Sequence, residues 1–127
     1  MNFVFLSPSW PKGVDASGIV TYTDYMVKAL REKGHNVYVI AQQYGVGSEL
    51  DEYSYYASSY RYTVWQRLKA ACGELFSKGF EQYYLGACSI LLALKDIQKV
   101  AKIDIFEMEE SFGWHYFVQK SVDFPVA

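Results

Sequence analysis

Residues 2–6 read NFVFL, a short apolar strand. A loop SPSWPKGVDASG follows, then the amphipathic run IVTYTDYMVKALREKG, then a second apolar strand in HNVYVIA. Strand, loop, helix and strand fit within about forty residues, the length of a βαβ unit, because two parallel strands need a crossover of a dozen residues or more. This order confines the chain to α/β architectures built on a parallel sheet. In such sheets ligands bind outside the carboxyl ends of the strands, where loops enter helix N-termini. The exposed N–H groups and the dipole of a helix start favour anions such as phosphate. The loop carrying Gly13, Ser17 and Gly18 stands at that position, so these three are the candidate ligand-binding residues.

The loop matches neither common nucleotide signature. G-x-G-x-x-G is absent, and so is G-x-x-x-x-G-K-[ST]. Its plainer reading is a turn and a cap, with Asp15 or Ser17 closing the helix start and the glycines taking positive φ. Spacing alone leaves both readings standing.

The first helix is expected over 18–33, with Ile19, Tyr22, Met26 and Leu30 on one stripe and Gly34 past its end. The second strand covers 36–41. His35, just before it, has no catalytic partner in the sequence and reads as structural. Residues 43–52 form a polar loop. Tyr53, Tyr55, Tyr56, Tyr60 and Tyr62 then crowd into a third strand or extended edge. They serve either as sheet-edge packing or as a platform for a sugar acceptor.

Residues 63–77 are expected to form a helix whose core face is Val64, Leu68, Ala71, Cys72 and Leu75, ended by Gly79. The surrounding segment 61–78 carries Arg61, Arg67, Lys69 and Lys78 against Glu74 alone, with Trp65 and Phe76 nearby. This makes it a candidate for contact with an anionic membrane surface, against the commoner case of a solvated face on a core helix. A longer helix follows over 81–101, with Leu85, Cys88, Leu91, Leu92 and Leu94 as its core face. A fourth strand is expected over 104–108, and a short helix through Phe117 and Val118.

Glu107, Glu109 and Glu110 cluster at the end of that fourth strand, and alternation puts Glu107 and Glu109 on one face. Parallel strands bring their carboxyl ends together, so the acids should lie near the Gly13–Gly18 loop. Glu109 and Glu110 are the candidate catalytic residues, as a base or as orienting groups. Their plainer role is charge matching at a helix start. No triad and no metal-ligand spacing is present.

The chain has 127 residues, enough for one domain with a real core. A net charge of −2 gives no argument for nucleic acid as a partner. Cys72 and Cys88 sit in helical patterns and are expected to be buried thiols in a reducing compartment. No apolar run reaches the roughly 18 residues of a membrane span, and residues 1–6 lack the basic start of a signal peptide. A cytoplasmic protein is expected. The closing FPVA reads as a buried strand just beginning, so the chain is expected to be most of one domain with the rest lying beyond it.

Two stretches carry a family resemblance. SGIVTYTDYMVKAL with REKGHNVYVIA resembles the N-terminus of retaining glycosyltransferases of family 4, and DIFEMEESFG resembles a later strand-to-helix junction of the same family. Ser17 stands before Gly18 in place of a second glycine, and Glu107–Glu109 stand where many members carry a histidine. The resemblance implies a Rossmann-like three-layer α/β domain with a mostly parallel sheet, the acceptor-side half (1–127) of a two-domain GT-B enzyme. It implies a nucleotide-sugar donor held mostly by a missing C-terminal domain, a sugar or lipid-linked acceptor, retention of configuration and no obligatory metal or further cofactor. Gly13, Ser17 and Gly18 would approach the donor diphosphate, and Glu109 or Glu110 would face the acceptor or the transferred sugar. Apart from the resemblance, the missing span and signal peptide and the basic segment 61–78 give an expected location in the cytoplasm, with contact at the inner face of the membrane. A non-catalytic Rossmann-like binding module is the alternative. A dinucleotide oxidoreductase is disfavoured by the missing glycine fingerprint.

Overall fold

The computed structural model describes residues 1–13, 17–44, 51–109 and 113–127. Four strands form one sheet: β1 (Asn2–Trp10), β2 (Asn36–Tyr44), β3 (Ser54–Tyr56) and β4 (Ile105–Glu107). The order is β3-β2-β1-β4 and every pairing is parallel. Phe5 is in register with Val39 on one side and Glu107 on the other, so β1 is central as expected. Beyond β4, Val126 forms a parallel bridge to Phe106, with Ala127 N–H donating to the Phe106 carbonyl at 2.8 Å. The FPVA stretch thus adds a half-buried bridge at the sheet edge.

Helix α1 (Gly18–Glu32) covers one face of the sheet, packing Val27 with Phe5, Val37 and Val39. Helix α3 (Phe80–Gln98) covers the other, packing Ile90, Leu94 and Ile97 against Val4, Leu6, Ile40 and Phe106. The alternation of β1 side chains, Val4 and Leu6 one way and Phe5 the other, feeds both layers. The result is the three-layer α/β arrangement expected of a Rossmann-like domain. Helix α4 (His115–Gln119) packs on α3, where Gly86 lets the Trp114 indole lie directly on the helix backbone.

The buried stripe of α1 is Val20, Thr23, Asp24 and Val27. It is rotated from the expected stripe, since Tyr22 is exposed and Ile19, Met26 and Leu30 are only half-buried. Thr23 and Asp24 are polar and so escape an apolar pattern. Asp24 is buried while accepting a hydrogen bond from Lys28 Nζ at 2.8 Å, which offsets part of its desolvation.

Helix α2 (Val64–Phe76) departs further from expectation. Its buried residue is Ala70, and Gly73 lies against the Phe80 ring of α3. Val64, Leu68, Ala71, Cys72 and Leu75, expected to form its core face, all point to solvent. Of the two cysteines, only Cys88 is buried. The physical cause is close approach. Small side chains on the inward side bring α2 onto α3, and the large apolar side chains are left opposite. Gly79 opens α3 rather than closing α2: it is the N-cap at φ 88°, without a side chain to cap. Glu74 supplies the missing acceptor, taking the N–H groups of Gly79 at 2.8 Å and Glu81 at 2.9 Å.

Tyr53 and Tyr55 of the tyrosine-rich segment pack at the sheet edge. They lie on Tyr38 at ring separations of 5.3 and 6.4 Å, and the Tyr60 hydroxyl donates to Asp96 Oδ2 at 2.9 Å. His35 sits at the opposite end of the sheet from the carboxyl ends, edge-on to Phe3. Among the described residues, no helix is long and apolar enough to cross a membrane.

Candidate functional site

The path of the chain around β1 decides where a crevice can form. From β1 it runs through α1 to β2 and then β3 on one side. From β3 it returns through α2 and α3 to β4 on the opposite side of β1. Strand order therefore reverses between β1 and β4, the switch point at which open α/β sheets bind ligands. An open cleft of roughly 440 Å³ lies there. Its walls are Phe5 and Leu6 of β1, the first turns of α1 from Gly18 to Thr23, and Glu107–Glu109 at the end of β4.

Each wall follows from local sequence. Ser17 is extended (φ −103°, ψ 137°) and its hydroxyl accepts the Ile19 N–H at 3.3 Å, which starts the helix. This is the capping role that the plainer sequence reading gave Ser17. No acidic residue stands in the first turn of α1, so its dipole and unpaired N–H groups are not neutralised by its own side chains. Gly18 lines the cleft, and a Cβ built on it meets nothing within 4 Å. Gly13 adopts φ 115°, a left-handed turn conformation that suits glycine, and does not line the cleft. Asp15 and Glu110 fall outside the described residues.

Glu107 and Glu109 both face the cleft, because alternation about Phe106 and Met108 turns those two side chains into the α3-side core. Glu107 is half-buried and accepts the Tyr22 hydroxyl at 2.8 Å; Glu109 is exposed. That hydrogen bond, with burial and the carboxylate charge adding to it, raises the Tyr22 pKa above the ordinary tyrosine range. Tyr22 therefore keeps its proton and donates a hydrogen bond to Glu107, while Glu109 is left open to the cleft. Of the five candidate residues, the structure brings Gly18 and Glu109 onto one cleft, with Ser17 capping the helix behind it. Tyr22, expected on the core stripe of α1, lines the cleft instead, and its place one turn into the helix is the sequence signal for it.

A second hollow, of roughly 330 Å³, lies on the α3 face near the end of β2. Gln42, Ser58, Tyr62, Gln82, Ser89 and Trp114 contribute to its lining, which includes no charged residue among the described ones. Among the described residues, no group of three His, Cys, Asp or Glu side chains is placed to hold a metal ion.

Comparison with protein-family profiles, with curated proteins and with solved structures gave no match.

Proposed function

We propose that this chain is the acceptor-side domain of a GT-B-type glycosyltransferase acting in the cytoplasm, with the cleft between α1 and β4 as its half of the active site. The observation that carries the reading is the pairing of opposite electrostatics across one cleft. The N-terminal turn of α1 offers N–H groups and positive potential, and Glu107 and Glu109 offer acceptors a short distance away. A purely anionic ligand is favoured by the first and repelled by the second. A neutral polyol gains little from the helix end. A sugar diphosphate satisfies both, with phosphate oxygens at the helix start beside Gly18 and sugar hydroxyls donating to the carboxylates. The resemblance of the loop and of DIFEMEESFG to retaining glycosyltransferases of family 4 supports the same reading.

In this reading Glu109 faces the acceptor or the transferred sugar, and Tyr22 is a positioning residue acting through Glu107. Most donor contacts would come from a second domain, so binding by this chain is expected to be weak. The test is amide NMR of the 127-residue chain titrated to millimolar UDP-glucose, GDP-mannose and inorganic pyrophosphate. The expected result is shifts concentrated at Gly18–Thr23 for all three, weakest for pyrophosphate because the carboxylates repel it, with shifts at Glu107–Glu109 for the two sugar nucleotides alone. Amides of both segments that stay unmoved under every ligand would overturn the reading and favour a non-catalytic Rossmann-like module.

A further inference from the structure

The outward face of α2 is apolar. Val64 is 72% exposed, Trp65 81%, Leu68 51%, Leu75 85% and Phe76 91%. At about 100° per residue these five fall within an arc of about 120°, so they form one continuous stripe along the helix. The stripe lies opposite Ala70 and Gly73, the contacts with α3. Such a stripe has nothing to gain from water, and its occupant is indicated by the charges around it. On the helix Arg67 borders one side of the arc and Lys69 the other, Lys69 also standing 5.3 Å over the Tyr84 ring. Arg61 precedes the helix and Lys78 follows it. The single acid of the segment, Glu74, is turned to the start of α3, where it accepts two backbone N–H groups. Large apolar and aromatic side chains on one face, cations along its edges and no free acid between them match an anionic bilayer surface in both polarity and charge.

We propose that α2 docks this domain on an anionic membrane surface. The helix lies flat, with Val64, Trp65, Leu68, Leu75 and Phe76 at the headgroup–acyl boundary and Arg61, Arg67 and Lys69 reaching lipid phosphates. Thirteen residues give an axis of about 20 Å, and nothing crosses the bilayer. This inference is independent of the sugar-transfer reading, because it uses no residue of the cleft.

Vesicle flotation tests it, with the 127-residue chain and vesicles of pure phosphatidylcholine or of phosphatidylcholine mixed with phosphatidylglycerol. The expected result is binding to the anionic vesicles, at least about tenfold weaker on neutral ones and weakened by added salt. Trp65 is exposed whereas Trp10 is buried, so binding should also shift tryptophan emission to the blue. The double variant Trp65→Ser/Phe76→Ser should lose about tenfold or more in affinity with an unchanged melting temperature, since both side chains are in solvent. Arg67→Glu/Lys69→Glu supplies a second test, expected to abolish the preference for anionic vesicles. Wild-type chain that floats with neither vesicle would overturn the proposal, as would full binding by both variants. So would a dimer in sedimentation that the serine variant dissociates and vesicles leave intact, because the stripe would then belong to a second copy.

Discussion

Tyr22 and Glu107 lie 85 residues apart in the chain, and the Tyr22 hydroxyl donates to Glu107 Oε1 at 2.8 Å. The bond ties the first turns of α1 to the end of β4 across the cleft. It fixes one carboxylate and leaves Glu109 as the open one. The Tyr22 ring is 48% exposed, so water competes for the bond and its contribution to stability lies at the low end of the usual range.

Tyr22→Phe should therefore cost no more than about 1 kcal/mol in urea denaturation. The same variant should reduce the response of the Glu107–Glu109 amides to UDP-glucose, because the carboxylate loses its orienting donor. A loss of stability above about 2 kcal/mol would show that the bond does structural work beyond the cleft.

Gly18→Val separates ligand binding from folding. The Gly18 backbone is not left-handed, and its Cβ would project into open space, so the fold should tolerate the substitution. The melting temperature should shift by less than about 4 °C, the equivalent of at most about 1 kcal/mol. A branched side chain at the helix start would block approach of a diphosphate to the N–H groups, and the pyrophosphate titration should be lost. Early melting with normal binding would assign Gly18 to the turn alone.

Gly86→Ala is expected to behave in the opposite way. A Cβ there would overlap the Trp114 indole, so α3 and the start of α4 must move apart. Overpacking of this kind costs about 1–3 kcal/mol, and chemical denaturation followed by tryptophan emission would measure it. The cleft at β4 should keep its ligand response in the fraction that remains folded.

The Tyr60–Asp96 pair gives the pH dependence. Burial first, then the hydrogen bond to Asp96, raises the Tyr60 pKa well above the ordinary tyrosine range. A raised folded pKa stabilises below the unfolded value of about 10 and loses that stability as pH climbs beyond it. Asp96 is shifted the other way, lowered by Lys99 first and by Tyr60 second. Its contribution is present above about pH 4 and fades as pH falls through the folded value. Tyr60→Phe should flatten the alkaline limb of the stability curve, and Asp96→Asn the acid limb. Melting temperatures across the pH range would check both.

The sequence by itself determined the layered frame. Apolar strands at 2–6, 36–41 and 104–108, alternating with long helical patterns, leave a parallel sheet with helices on both faces as the economical way to bury them. It also placed Glu107 and Glu109 on one face, because strand alternation is a local property. Tertiary structure decided what depends on which neighbour comes close. The period of α2 marked Val64, Leu68 and Leu75 as one stripe correctly, but period carries no direction. Ala70 and Gly73 won the inward position because they allow α2 to approach Phe80, and the larger side chains were turned to solvent. In α1 the buried Thr23 and Asp24 moved the packed stripe away from Tyr22 and released that residue to meet Glu107. A contact across 85 residues has no local signature. It exists because the reversal of strand order sets β4 beside β1, under the first turns of the helix that β1 feeds.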